Sequence, residues 1–336
     1  LTAALSTAIL YMIVKKITKN NFISISSALI FTLTPTLMAV TTYPKTHAIS
    51  IFFALLGGYL LISATEKNQI KNIILAGLCF GAGIGTRPFA ALYIIPFALL
   101  YLKPKIKNNS ISIKKEKLSW KKIIIFCVSI AIVPILLFMP WIMEKGIEDF
   151  LAKTNPEVET RGGWLGLFSE NTWPSFNMIL GSFTWFGMAL AGLGSIYLWK
   201  KNQKILLFIL LLWFALFFFS LGNLARVHAR FLIPTFIPLS ILTALGARMI
   251  HRKNKWAGIG AIVILLVIMF SIAYPVISYR HEHSGTRDFA IYVQENTEPD
   301  AIIMTNDLGF FVKWYGNREI VFHPRTGNEL EIQEFI

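Results

Sequence analysis

The chain has 336 residues, 55% of them hydrophobic and 15% charged, with 32 Lys and Arg against 18 Asp and Glu and a mean hydropathy of +0.59. A soluble domain carries about 25% charged residues and no repeated apolar runs of about 20, so this composition excludes a soluble globular protein. Backbone groups in lipid need partners within the chain, and the runs are too long and continuous for barrel strands, so the spans are expected to be helices.

In chain order the apolar segments are roughly 1–14, 22–42, 47–63, 73–86, 88–102, 123–143, 176–199, 205–222, 231–247 and 256–277. They predict an all-α polytopic membrane protein with about ten transmembrane helices. The chain opens at Leu1 inside an apolar run and stops at "EIQEFI" without a turn signal, which reads as an internal fragment of a longer protein. Cys79 and Cys127 both sit in apolar runs and read as buried small hydrophobes rather than a disulfide framework.

The loops alternate in charge. One set, "KKITKN", "ATEKNQIKN", "KPKIKNNSISIKKEKLSWKK", "KKNQK" and "RMIHRKNK", carries 20 of the 32 Lys and Arg and only two acids, Glu66 and Glu116. The positive-inside rule makes this set cytoplasmic, and every span then alternates direction without conflict. The net charge of +14 is accounted for by these loops and is no sign of a nucleic-acid partner. The Lys-rich loop 103–122 reads as a solvated topology determinant, with contact to anionic lipid as the other reading.

Charges away from the cytoplasmic rim mark the candidate sites, because they are costly in or near hydrocarbon. In "TTYPKTHAISIFF", Lys45 and His47 sit at a tight outer turn; the bland reading is a Pro44 helix break with a snorkelling lysine. In "GAGIGTRPFAALY", Arg87 follows a segment too short to span the bilayer, so it faces a polar cavity or anion, or else a locally thinned membrane. The outer loop 144–175 offers Trp164, Trp173, Glu157, Glu159, Arg161 and Glu170, a mixture suited to sugars or to an ordinary interfacial belt. In "FSLGNLARVHARFLIP", Arg226 and Arg230 share a helical face, and His228 joins them only in an extended segment. Two guanidiniums at an outer mouth suit a phosphate or pyrophosphate, or lipid phosphate held by snorkelling side chains.

From Ser278 the tail pattern predicts helix, turn, strand, helix and strand, the start of a small extracytoplasmic α/β domain. This gives a membrane domain at 1–277 and an outer domain at 278–336. "HEH", His281 to His283, lacks further Cys or His at metal spacing.

The layout resembles the GT-C superfamily of membrane glycosyltransferases, nearest to its protein O-mannosyltransferase and aminoarabinose-transferase branch (glycosyltransferase family 39-like). The stretches that carry it are "YPKTHAISIFFALLGGYLL", "LAGLCFGAGIGTRPFAALYIIPFALL", "RVHARFLIPTFIPLSILTALGA" and the tail "FAIYVQENTEPDAIIMTNDLGFFVKWYGNREIVF". The resemblance implies an inverting enzyme that moves a sugar from a polyprenyl-phosphate carrier to an acceptor (protein, lipid or glycan). It also implies a multi-pass protein of the plasma or inner membrane, with its active site facing outside.

The family's catalytic Asp is expected in an outer loop ahead of residue 1. Some members carry an acidic residue in the turn matching "YPKTH", where Lys45, Thr46 and His47 stand here. That argues against a carboxylate-bound metal at this point; no cofactor is implied with certainty, and a divalent cation finds no support in the residues present. The carrier phosphate is expected at Arg226, Arg230, Arg87, Lys45, His228 and His47, and the acceptor or sugar at Trp164, Trp173 and Glu170. Two other classes compete: a transporter or flippase for a lipid-linked or anionic solute, and a non-catalytic membrane subunit.

Overall fold

The computed structural model describes residues 2–41, 46–67, 69–102, 120–154, 172–222, 229–282, 285–305 and 309–322. They divide into two compact units, Leu1–Tyr274 and Pro275–Ile336. Among the described residues, helix makes up most of each of the ten apolar segments, and six helices are long and apolar enough to cross a membrane. The chain is a polytopic helical membrane protein.

The first unit opens with α1 (Thr2–Thr18), α2 (Asn21–Thr32) and α3 (Pro35–Thr41). The segment expected to run unbroken over 22–42 is interrupted at Leu33 and Thr34, because Pro35 cannot continue the ladder of α2. Thr34 Oγ1 donates to the Ile30 carbonyl at 2.9 Å, satisfying an end carbonyl at the break. Next come α4 (Thr46–Lys67), α5 (Ile70–Thr86), a 3-10 turn (Pro88–Tyr93), α6 (Ile94–Leu102) and α7 (Trp120–Thr154). Helix α7 runs beyond the predicted start of the outer loop at 144, with a break at Gly146 (φ 83°).

Helix α8 (Thr172–Lys200) is also broken, at Thr184 (φ 64°, ψ 159°), where Thr184 Oγ1 accepts from Gly187 N at 3.3 Å and caps the second half. A β-branched residue at positive φ is strained and persists only where its surroundings dictate it. Helix α9 (Lys204–Gly222) is followed by a 3-10 turn (Ala229–Leu232), α10 (Ile233–Lys253) and α11 (Lys255–Glu282).

Helix α10 is the core element, with every residue from Ile233 to Ala247 buried, packed on α8, α2 and α9. Lipid tails are as apolar as leucine, so close packing rather than water exclusion holds such helices together. Two glycines make the α8–α10 approach: a Cβ on Gly194 would lie 1.9 Å from the Leu242 carbonyl oxygen, and one on Gly246 would lie 2.0 Å from that of Leu190. On the other side α4 packs on α1 and α5, and α5 on α7. An aromatic group joins α6 and the turn before it to α9, with Trp213 4.9 Å from Phe97 and Phe217 4.5 Å from Tyr93, centroid to centroid.

The second unit holds α12 (Gly285–Asn296), β1 (Ile302–Thr305), α13 (Gly309–Gly316) and β2 (Glu319–Phe322), the element order the tail pattern predicts. β1 and β2 pair in parallel, Ile302 opposite Glu319 and Thr305 opposite Phe322, with α13 as the crossover. Arg318, 8% exposed, gathers the end of α12: its Nη2 donates to the carbonyls of Gln294 (2.6 Å) and Thr297 (2.8 Å), and its Nε to Thr297 Oγ1 (3.0 Å). A cation on the last carbonyls of a helix satisfies orphan acceptors and complements the helix dipole.

Substituting Gly194 or Gly246 by Leu is expected to lower the thermal midpoint of the detergent-solubilised protein sharply, since even a methyl group would overlap a backbone oxygen. Overpacking of this kind costs about 1–3 kcal/mol or more. Gly192→Leu, where a Cβ meets nothing within 4 Å, is the matched control and should leave the midpoint almost unchanged.

Candidate functional site

The site is built from helix ends. Pro88 biases the residue before it away from helix, and Arg87 is extended (φ −156°, ψ 116°), closing α5 and opening the 3-10 turn at once. The freed backbone is satisfied locally: Arg87 N donates to the Gly83 carbonyl at 2.9 Å, which also accepts from Thr86 Oγ1 at 2.7 Å and Ser50 Oγ at 3.3 Å. Non-helical backbone at membrane depth is tolerated where protein groups repair it or a polar cavity borders it.

From this corner the Arg87 side chain reaches the start of α4, where its Nε donates to Thr46 Oγ1 at 2.8 Å. The next residue, His47, is fully buried between two aromatic rings from distant parts of the chain. Phe89 stacks on it at 5.8 Å and 22°, and Phe231 meets it edge-on at 5.3 Å and 74°. Phe231 belongs to the 3-10 turn preceding α10, and the guanidinium carbon of its neighbour Arg230 lies 5.2 Å from that same ring. Arg230 Nε is buried and has no hydrogen-bond partner among the described residues.

Three turns that the charge pattern puts on one side of the membrane, at 46–47, 87–89 and 230–231, therefore meet. Helix α3 packs on the Ala229–Leu232 turn and on α8, and Thr36 and Ser182 share a short hydroxyl–hydroxyl hydrogen bond there. His47, Arg87 and Arg230 come together through these contacts. Trp173 stands apart at the start of α8, 66% exposed, with Phe176 as its ring neighbour at 5.8 Å. Lys45, Arg226, His228, Trp164 and Glu170 lie outside the described residues, as do Glu157, Glu159 and Arg161.

Sequence reasoning missed Phe89 and Phe231, whose signal was present: each is an aromatic within two residues of a candidate arginine. The Thr36–Ser182 pair left no such signal, because its members are far apart in an alphabet of ordinary span residues. Chemically, the arrangement offers a guanidinium braced by a neighbouring hydroxyl and a second braced by an aromatic face. Each guanidinium is of a kind that can receive an anion by bidentate, charge-assisted hydrogen bonds.

Residues 1–143 match the family model described as dolichyl-phosphate-mannose-protein mannosyltransferase. Among curated proteins the chain is similar to an undecaprenyl phosphate-alpha-4-amino-4-deoxy-L-arabinose arabinosyl transferase of Wigglesworthia glossinidia brevipalpis. The two are 29% identical over 263 residues, which cover 74% of this chain and 44% of that protein. The chain thus spans less than half the length of this relative. Among solved structures it resembles the crystal structure of ArnT from Cupriavidus metallidurans bound to undecaprenyl phosphate. There the TM-score is 0.66 at 9% identity, over 99% of this chain and 72% of that one, a likeness of fold.

Removing the buried imidazole should loosen the junction of the three turns. His47→Ala is expected to reduce the stability of the solubilised protein by about 3 kcal/mol, in line with deletion of a buried ring. His47→Phe, which keeps a ring between Phe89 and Phe231, should recover most of that loss in the same thermal-unfolding measurement.

Proposed function

We propose that this chain is a GT-C-type membrane glycosyltransferase that takes part in moving a sugar from a polyprenyl-phosphate carrier to an acceptor, a reading supported by its likeness to the mannosyltransferase family model and to the arabinosyl transferase. The observation that carries this reading is the meeting of Arg87 and Arg230 around His47 and Thr46, at broken helix ends. The sugar leaves a phosphate whose oxygens gain negative charge as the glycosidic bond breaks. Fixed cations aimed at that charge lower the barrier without reorganising during the reaction.

In this reading Arg230 and Arg87 hold the carrier phosphate, with Arg226 and Lys45 completing the cationic set and His228 at its margin. Thr46 holds the Arg87 side chain in place, and His47 holds the turns together; it is a positioning residue. Proton removal from the acceptor falls to another group, since guanidiniums do not act as bases at neutral pH. Trp164, Trp173 and Glu170 are proposed for the acceptor or sugar side. The protein is placed in the plasma or inner membrane, with this end facing outward, as the charge pattern of its loops supports.

The test uses the full chain reconstituted in lipid with a radiolabelled polyprenyl-phosphate sugar, following both carrier binding and release of free carrier phosphate. Arg87→Ala, Arg226→Ala and Arg230→Ala are each expected to lower transfer and carrier affinity together by roughly 10- to 100-fold, as for a lost charge-assisted hydrogen bond. Unchanged turnover in both Arg226→Ala and Arg230→Ala sinks the phosphate assignment. Movement of intact carrier-linked sugar across the membrane without release of carrier phosphate would favour the flippase instead.

A further inference from the structure

A second cationic cluster lies at the opposite ends of α4 and α10, and the transfer reaction makes no use of it. The α1–α2 turn brings Lys15, Lys16 and Lys19; the α10–α11 turn brings Arg248, Arg252, Lys253 and Lys255. Both turns are tight and capped by asparagine. Asn20 Oδ1 accepts from Ile23 N at 3.1 Å, and Asn254 Oδ1 accepts from Trp256 N and Ala257 N at 3.0 and 3.1 Å. The second turn is closed further by the Lys255 carbonyl, 3.1 Å from His251 Nδ1, and by a contact so close that a Cβ on Gly258 would lie 2.4 Å from that of His251.

One ring joins the two turns. Phe22, the second residue of α2, stacks on the imidazole of His251 at 4.4 Å and 26°, and the Arg248 guanidinium carbon lies 6.0 Å from the same ring. Arg248, His251 and Arg252 share one face of α10, being three and four residues apart. On the α1 side Lys15 Nζ donates to Asn21 Oδ1, and Lys16 lies 5.5 Å from the Tyr59 ring. Arg248, Arg252, Lys253 and Lys255 make no ion pair among the described residues.

A topology signal requires only that charge be on one side; it does not require a guanidinium and an imidazole to meet on one aromatic ring between two helix pairs. We propose that this cluster is a binding site for the phosphate headgroup of an anionic phospholipid, with Arg248 and Arg252 as its principal cations and Phe22 as the platform that holds Arg248 beside His251. Basic pockets between transmembrane helices at the positively charged face are suited to such headgroups. Trp199 and Trp256 stand exposed at the neighbouring helix ends, each beside a lysine (Lys204 at 4.6 Å and Lys255 at 5.7 Å). Such amphipathic rings with cationic neighbours belong at headgroup depth, which sets the cluster at the level where phosphates lie.

The experiment places the full chain in nanodiscs of phosphatidylcholine alone or with phosphatidylglycerol, and reads retained lipid by native mass spectrometry alongside the thermal midpoint. Wild type is expected to retain phosphatidylglycerol and to melt higher in its presence. The double variant Arg248→Gln/Arg252→Gln should retain about thirtyfold less, from the loss of two cations near an anionic surface. Phe22→Ala should lose retention while Phe22→Tyr keeps it, and Lys121→Gln/Lys122→Gln, on α7, should behave as wild type. Equal retention by wild type and the Arg248/Arg252 variant overturns the proposal, as does an equal loss in the Lys121/Lys122 control. Inorganic phosphate added to phosphatidylcholine discs is the last arm: if it reproduces the stabilisation, the site takes a soluble phosphate and the lipid assignment falls.

Discussion

The packing of His47 between Phe89 and Phe231 is the contact on which the candidate site depends. It draws the start of α4, the corner after α5 and the turn before α10 to one place, although they are widely separated along the chain. It thereby brings together the helix ends that carry Arg87 and Arg230. Each guanidinium also has a neighbour of its own, Thr46 for one and the Phe231 face for the other.

The interruptions that make room for this contact carry their own cost. Each helix break leaves carbonyls and amides that hydrocarbon cannot satisfy. The structure answers locally, with Thr34 on the Ile30 carbonyl, Ser50 and Thr86 on the Gly83 carbonyl, and Thr184 on the Gly187 amide. Hydroxyls of serine and threonine thus do the work that a continuous helix would make unnecessary. They allow short segments such as α3 and the two 3-10 turns to end inside the protein instead of crossing it.

Opposite the breaks, the molecule is built for rigidity. Helix α10 extends about 30 Å at 21 residues, so its two ends belong to different clusters: Phe231 just ahead of its start meets His47, and Arg248 and His251 near its end meet Phe22. The Gly194–Gly246 approach locks it against α8 between these ends. One buried helix therefore bears on a cationic cluster near each end, and the two clusters differ in kind. One is gathered at broken backbone, the other at short turns capped by asparagine.

Hydropathy and charge were enough to place the helices, because lipid forces each long apolar run into a hydrogen-bonded helix whatever its neighbours. The tail's helix–strand–helix–strand order was legible for a similar local reason, since alternation and turn residues act within a few positions. Arg87 and Arg230 stood out as candidates because a charge beside an apolar run is conspicuous on composition alone. The rest lay in the third dimension. Nothing near Thr184 in the chain announces a break, and nothing pairs Phe22 with His251, Thr36 with Ser182, or Gly194 with Gly246. Such pairings depend on which helix faces bury one another, and packing in lipid is a short-range steric fit with no pattern to read in one strand of sequence.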